Sequence, residues 1–180
     1  FIPTSYSSDL AEFVGIMLGD GNLTPTQVTV TLGKKDKYAY HVAYLMSSLF
    51  GPAPKVFFSR TGDRTVYFGS TKIVRWFLRM GLVFNKVKSQ GDVPRWIFLQ
   101  KRFMQSALRG LFDTDGSVYK LRWGTQISFC NHSRPLIESV RRMLVRLNFH
   151  PSRISGFNLY LTRKTDIARF CKEIGFKNRK

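Results

Sequence analysis

Apolar and small residues recur with a helical period in two separated segments of the chain, residues 10–21 (LAEFVGIMLGDG) and 105–116 (QSALRGLFDTDG). Both segments predict amphipathic helices that carry a carboxylate, Asp20 or Asp115, in the last turn before a glycine. Small residues recur every four positions and therefore share one face of each helix. They are Ala11, Gly15 and Gly19 in the first segment and Ser106, Gly110 and Thr114 in the second.

These small-residue stripes predict that the two helices pack against each other. A glycine within a helix costs about 0.5–1 kcal/mol relative to alanine, so Gly15 and Gly110 indicate a close backbone contact that offsets this cost. If the C-terminal ends lie together, Asp20 comes near Asp115, at the negative ends of two helix dipoles. That pair is unfavourable unless a cation lies beside it. One copy alone favours an ordinary glycine cap, whereas two matching copies favour a cation site.

The other elements of the first half are predicted from periodicity, capping residues and glycines. They are a strand at 27–32, a helix at 37–50, a hairpin of 55–60 with 64–69, and a helix from Ser70 to Met80. Asp9 followed by Glu12 predicts a capping box at the first helix. Asp36 is the predicted cap of the second helix, which is expected to bury Tyr40 and Tyr44, with Ala43 as a further candidate.

The same order of elements returns after a segment that has no clear period. Residues 82–101 contain Gly91 and Pro94 and predict a basic connection between two halves, which would run along a nucleic acid. Beyond the second signature helix we predict strands at 117–123 and 126–130, a helix from Ser133 to Leu147, a hairpin within 153–161 and a closing helix at 163–174.

The two halves are in register. Asp115 follows Asp20 by 95 positions, and the helix-ending Gly175 follows Gly81 by 94. This indicates an internal duplication. The predicted fold is α+β, with two pseudo-symmetric αββαββα halves at 1–81 and 102–180. Each half is expected to hold an antiparallel four-stranded, saddle-like sheet covered by helices, and the two signature helices are the seam of a pseudo-twofold arrangement.

Composition adds a strong charge signal. The 180 residues include 29 Lys and Arg against 11 Asp and Glu, a net charge of +18. Such an excess favours a polyanionic partner, DNA or RNA, bound in a salt-sensitive way. No apolar run approaches the ~18 residues that span a bilayer, so no membrane partner is expected. Cys130 and Cys171 lack a CxxC spacing, which suits a reducing, intracellular location without a zinc site.

One face of each predicted sheet carries the side chains that suit nucleic acid. Short amides, hydroxyls and tyrosines can bond to base edges: Gln27, Thr29, Thr31, Thr65, Tyr67, Gln126, Ser128, Asn158 and Tyr160. Basic residues suited to phosphates flank them: Lys34, Lys35, Arg60, Arg64, Lys120, Arg122 and Arg153. Any one of these residues is more often merely solvated, so the prediction depends on the whole face.

The segments FVGIMLGDG (13–21) and LRGLFDTDG (108–116) resemble the paired signature of LAGLIDADG homing endonucleases, in the single-chain form. The second copy, preceded by VPRWI (93–97), is the closer match. The first copy has Leu18 where the signature often has aspartate, but it keeps Asp20. In the second copy Asp113 is predicted to have a capping or surface role and not to bind metal. The resemblance implies a functional monomer that makes a staggered double-strand break at a long DNA site.

A divalent cation is expected between Asp20 and Asp115, assisted by the backbone carbonyls of Gly19 and Thr114. Hard oxygen ligands favour Mg²⁺, and Mn²⁺ or Ca²⁺ can occupy such a site. By resemblance, water activated near the metal attacks each scissile phosphate.

The family also places a basic or amide residue near each metal to order the water. The candidates are Lys120 and Asn131 in the second half. In the first half Leu32 occupies the place of the amide, and Lys34 or Gln27 could substitute. If neither reaches the site, one strand is cut slowly.

Two other functions fit the same fold and charge. A maturase would bind intron RNA to assist splicing, and a regulator would keep DNA binding without cleavage. Two acidic residues retained at helix ends argue against the regulator, because unused acidic groups there cost stability. They do not separate the endonuclease from the maturase.

Overall fold

A computed structural model describes residues 2–34 and 36–178 of the chain. In the first half the elements are α1 (Ser8–Gly19), β1 (Gly21–Leu23), β2 (Gln27–Leu32), α2 (Asp36–Phe50), β3 (Lys55–Phe58), β4 (Arg64–Gly69) and α3 (Thr71–Arg79). A 3₁₀ helix (Arg95–Leu99) precedes α4 (Lys101–Asp115), β5 (Gly116–Leu121), β6 (Gly124–Cys130), α5 (Arg134–Arg146), β7 (Asn158–Leu161) and α6 (Lys164–Glu173). Among these helices none is long and apolar enough to cross a membrane.

The seam between the halves is the packing of α1 on α4. A Cβ atom at Gly15 would collide with the carbonyl oxygen of Ala107, and one at Gly110 would collide with that of Glu12. The two contacts are reciprocal, since residues 12 and 15 correspond to 107 and 110 under the 95-residue repeat. The predicted close approach of glycine-bearing faces is therefore confirmed.

The start of α1 differs from the prediction. The cap is Ser7, whose hydroxyl oxygen accepts the Leu10 amide at 3.1 Å. Glu12 is buried and binds His41 Nε2 of α2 at 2.6 Å and Arg109 of α4 at 3.1 Å. The predicted Asp9–Glu12 capping box is wrong, because Glu12 connects helices and does not return to the backbone.

The first-half sheet has the predicted four antiparallel strands, in the order β1-β2-β4-β3. Helices α2 and α3 cover one of its faces, and the core of this half lies between the helices and the sheet. The predicted burial of Tyr40 and Tyr44 on α2 is wrong, since they are 64% and 67% exposed, whereas Ala43 is partly buried against the core. The buried stripe instead comprises Tyr38, Ala39, Val42, Leu45, Met46 and Leu49. This stripe has the same helical period but holds more aliphatic residues, which gain more from burial than the tyrosines do.

The second-half sheet contains three strands in the described part of the chain, in the order β5-β6-β7, where four were predicted. The strand expected before Gly156 does not form a regular ladder. Ser152 donates its amide to Tyr160 O at 2.9 Å, but the Tyr160 amide bonds to the Ser152 side chain at 3.1 Å. A side-chain acceptor in place of a carbonyl, next to Pro151, interrupts the pairing.

Residues 82–101 pack against the body of the protein. Trp96 and Ile97 of the 3₁₀ helix are buried, and the Trp96 ring stacks on Tyr6 with centroids 4.3 Å apart. Ser133 donates its hydroxyl to Gly91 O at 2.7 Å and makes no side-chain bond to the start of α5. The segment therefore fastens to both halves.

Asp113 has neither of its predicted roles. It is fully buried, and its carboxylate accepts the backbone amides of Lys177 and Asn178 at 3.0–3.1 Å. It anchors the chain that follows α6. The predicted cap from the Asp36 side chain and the predicted phosphate contact of Lys35 fall outside the described part of the chain.

Candidate metal centre and nucleic-acid interface

The C-terminal ends of α1 and α4 meet. Asp20 is the C-cap of α1 and donates its amide to Ile16 O at 2.9 Å, and Asp115 is the last residue of α4. A Cβ atom at Gly19 would collide with the Thr114 side chain, so the helices touch at their last turn. Both aspartates are partly exposed. Each helix thus ends in a partly exposed aspartate next to the point where the two helices touch.

Lys86, from the segment after α3, supplies a cation at this point. Its ammonium donates to Gly21 O at 2.6 Å, to Met17 O at 3.2 Å and to Gly19 O at short range. Burial lowers the pKa of Lys86, and the nearby carboxylates of Asp115 and Asp20 oppose that shift. One ammonium therefore lies in the field of both aspartates.

Sequence reasoning missed Lys86. It is one of several basic residues in a segment without periodicity, and no local pattern distinguishes it from Lys88. Only the fold of 82–101 against the seam places its side chain at the end of α1.

The donor set at this point fits a hard cation. Two carboxylates and the carbonyl ends of two helices provide oxygen ligands and a negative potential. An ammonium already bonded to Gly19 O and Gly21 O shows that these carbonyls attract a cation. The described residues contain no cluster of three or more His, Cys, Asp or Glu side chains. Water and substrate oxygens would complete a Mg²⁺ shell, as they commonly do.

Tyr38 of α2 lies in the same electrostatic field. Burial raises the pKa of its hydroxyl, and Asp113, Glu12 and Asp20 add to the shift. The hydroxyl therefore stays protonated beneath the seam.

In the second half an amide stands beside the carboxylate. Asn131 Nδ2 donates to Asp115 Oδ2 at 2.7 Å, while Asn131 Oδ1 accepts the Ser133 amide at 2.8 Å. The side chain is held at both ends, so it fixes the orientation of the Asp115 carboxylate.

The first half has no such amide at the equivalent position. Gly116 pairs with Phe129 and Gly21 with Val30, so Leu32 corresponds to Asn131. Leu32 is buried and has no polar group to offer. The two proposed substitutes lie elsewhere: Gln27 is at the far end of β2, and the Lys34 side chain lies against Gly62.

Lys120 lies four residues beyond Gly116 on β5, paired with Thr125. Because strand side chains alternate between the two faces, the Lys120 side chain lies on the same face as Val118, opposite to Tyr119. Val118 packs on the core, so Lys120 is on the helix-covered side, near the exposed end of the strand. Its role in ordering water stays a prediction, and this position gives it no support.

The first-half sheet leaves one face open, and the predicted polar residues lie on it. The register pairs Thr29 with Tyr67 and Thr31 with Thr65, and the hydroxyls of Thr31 and Thr65 are 3.5 Å apart. Gln27 lies on the same face. Residues that were not predicted from the sequence also belong to it: Asn22, Lys55 and Phe57.

The second-half sheet has a matching open face. Gln126, Asn158 and Tyr160 lie on it as predicted, together with Ser117, Tyr119 and Leu121. Ser128 shares the register of this face but is buried between Ser117 and Tyr160. It is therefore a weaker candidate for base contact than its neighbours.

The basic residues predicted to bind phosphate are divided between different surfaces. Arg60 is exposed in the β3–β4 loop, and the Arg122 guanidinium lies 4.9 Å from the Trp123 ring centroid. Arg64 pairs with Leu32 and therefore lies on the face opposite to the open one, with its guanidinium 4.3 Å from the Phe58 ring centroid.

Arg153 lies in a groove of about 610 Å³ on the outer side of α5. The groove is also lined by Arg134, Glu138, Arg141, Arg142, Val145, Arg146 and Ile154. The opposite side of α5 is buried through Leu136, Val140 and Leu144. Since that side covers the sheet, the groove faces away from the open face.

Comparison with known proteins gives a consistent picture. Residues 102–175 match the family described as LAGLIDADG-like domain. The crystal structure of I-DmoI in complex with DNA and Mn superimposes with a TM-score of 0.69 at 18% identity, over 93% of this chain and 96% of that chain. The N-terminal LAGLIDADG domain of DUF199/WhiA gives 0.67 at 16% identity, over 97% and 86%.

A relative is also found by sequence. The Replication factor C small subunit of Methanocaldococcus jannaschii is 24% identical over 190 residues, which cover 98% of this chain. The match spans only 10% of that protein's own length.

Proposed function

We propose, from the LAGLIDADG fold that the chain has, that it is a site-specific DNA endonuclease that cuts both strands of a long recognition site. The observation that supports the proposal is that α1 and α4 touch at their last turns, next to Asp20 at one helix end and Asp115 at the other. A purely structural seam would gain nothing from two like charges at the negative ends of two helices.

The open faces support one orientation of the substrate. A strand pair fits the major groove of B-DNA, and each sheet presents amides, hydroxyls and tyrosines on its uncovered face. With one half on either side of the seam, the aspartates would lie over the middle of the duplex. The structures of I-DmoI with DNA contain Mn or Ca, or were obtained in the presence of Mg.

Each side chain at the seam has a distinct task in this proposal. Asp20 and Asp115 would hold a divalent cation with the carbonyls of Gly19 and Thr114. When bound, the cation lowers the pKa of water and stabilises charge on the phosphate. Asn131 fixes the Asp115 carboxylate, and Lys86 places a positive charge beside the scissile groups. Gly19 O bonds to the Lys86 ammonium, so this carbonyl would hold the cation in place of that bond.

Cleavage of a plasmid library that contains randomised sites tests the proposal. With Mg²⁺ the protein should linearise a subset of plasmids, and sequencing the broken ends should return one long site with a fixed stagger. Asp20→Asn and Asp115→Asn should each reduce double-strand cleavage by about 10³-fold while leaving site binding intact, because each removes a negative ligand of the cation.

A DNA-binding protein without cleavage is the second candidate. It is favoured by the position of the Lys86 ammonium, which already bonds to Gly19 O and Gly21 O at the point where a cation is proposed. Tight binding of a selected duplex with no strand breaks in Mg²⁺ or Mn²⁺ would support it. Tight binding of intron RNA without cleavage would instead support the maturase.

A further inference from the structure

The second half carries a hairpin that is longer than its counterpart. The equivalent pairs Leu23↔Val28 and Val118↔Ile127 enclose four residues in the first half and eight in the second. The first hairpin closes at once, through a 3.0 Å bond from the Thr24 amide to Gln27 O. The second continues as a regular ladder to Leu121↔Gly124. We call residues 119–126 the hairpin arm.

The arm extends the sheet on one side of the molecule only. Two more residues in each strand correspond to about 7 Å at the usual strand rise. Base pairs are stacked about 3.4 Å apart along a duplex. The added length therefore equals about two base pairs.

The tip of the arm is apolar and uncovered. Trp123 is 87% exposed, Leu121 54% and Tyr119 52%. The corresponding turn of the first half is Thr24-Pro25-Thr26, which is small and mostly polar. Large exposed apolar side chains gathered at one tip indicate a binding surface more often than isolated ones do.

The register directs Tyr119 and Leu121 toward the open face. Tyr119 and Leu121 alternate with Val118, which packs on the core, and Tyr119 pairs with Gln126. The face of the arm is thus continuous with the face that carries Gln126, Asn158 and Tyr160. Lys120 and Arg122 add two positive charges to the arm.

We infer that the hairpin arm binds the duplex on the second-half side. Its contacts lie just beyond the base pairs that the rest of the second-half sheet contacts. This inference rests on the proposed function. One ring face of Trp123 lies near the Arg122 guanidinium, and the other is available to stack on a base or a deoxyribose. Arg122, in the turn next to Trp123, binds an adjacent phosphate. The recognised sequence is therefore about two base pairs longer on the second-half side.

The test uses the full chain and a duplex selected from a randomised library. Base pairs are removed one at a time from either end, and Kd is measured at fixed salt. Trimming the last two contacted pairs on the second-half side should weaken binding about tenfold, and trimming the pairs at the same distance from the cut centre on the other side should not. A variant whose residues 119–126 are replaced by the first-half turn, Thr-Pro-Thr-Gln, should bind full and trimmed duplexes equally.

Single substitutions give a second test that does not depend on the folding of the variant with the shortened hairpin. Trp123→Ala should raise Kd for the full duplex about tenfold and leave Kd for the trimmed duplex unchanged. Leu99→Ala removes another exposed apolar side chain, outside the arm, and should change neither value. Equal sensitivity of both duplex ends would overturn the inference while the endonuclease proposal stands. The inference would also be overturned if the protein self-associates with rising concentration and Trp123→Ala abolishes this association without changing Kd for the duplex. Failure to select any bound duplex would instead refute both proposals.

Discussion

At the scale of the residue, the ammonium of Lys86 is the feature that most changes the picture of the seam. It bonds to three carbonyls at the end of α1 and lies in the field of both aspartates. Lys88, two residues later, is exposed. The two lysines thus form a natural pair for comparison.

Lys86→Met should reduce the single-turnover cleavage rate by about 100-fold, because removal of one aligned positive donor has that order of effect. Affinity for the duplex should change less than about threefold, since one phosphate contact contributes little to the total. Lys88→Met is the control and should alter neither quantity. A cleavage rate that falls equally in both variants would show a general charge effect.

Asn131 makes the two centres unequal, since Leu32 stands at the equivalent place in the first half. Asn131→Ala should slow cleavage of the strand served by Asp115 about tenfold, because the carboxylate loses its 2.7 Å hydrogen bond and its fixed orientation. Nicked circular plasmid should then accumulate before linear product. Strand-specific rates on an end-labelled duplex measure the effect, and equal slowing of both strands would contradict it.

At the scale of the element, the contact of α1 with α4 decides whether the site exists. Neither helix can separate from the other without moving a carboxylate. The reciprocal glycines leave no room for a side chain. Gly33, after β2, differs from them, because a methyl group added there would have no atom within 4 Å.

Gly15→Ala should therefore lower the free energy of unfolding by about 3 kcal/mol, the upper range for overpacking, because the new methyl meets a backbone carbonyl. Gly33→Ala should stay within about 0.5 kcal/mol of the parent, as expected for an open surface site. Urea denaturation followed by circular dichroism compares the two variants. Similar midpoints would show that the helices can shift apart at no cost.

At the scale of the whole molecule, the charge of +18 is distributed over two sides. Lys55 lies on the open face of the first half and Arg60 in the adjoining β3–β4 loop, whereas Arg146 and Arg153 line the groove behind α5. Net charge alone would assign all of them to the same partner.

Binding of the selected duplex should weaken steeply with salt, because each neutralised phosphate contributes about −0.9 to the slope of log K against log salt. Replacing Lys55 and Arg60 together by glutamine should reduce the magnitude of that slope by about 1.8, the contribution of two phosphate contacts. Replacing Arg146 and Arg153 should leave it unchanged. A reduced slope in the second variant would show that the duplex also reaches the groove behind α5.

The sequence alone determined the repeat, the seam and the acidic tips. Small residues every four positions, and strands with a two-residue alternation, are local patterns, and local backbone geometry converts them directly into faces. The first-half sheet, its polar open face and the ends of α3 and α6 were predicted for this reason.

Tertiary structure decided which side chains lie next to Asp20 and Asp115 and which faces of the helices and sheets are covered. Lys86, 66 positions after Asp20, reaches the end of α1 through a segment that has no period of its own. The buried stripe of α2, the interrupted ladder at Ser152 and the position of Arg153 also depend on partners distant in the chain. Their positions follow from packing energies summed over the whole core, which no local window of sequence contains.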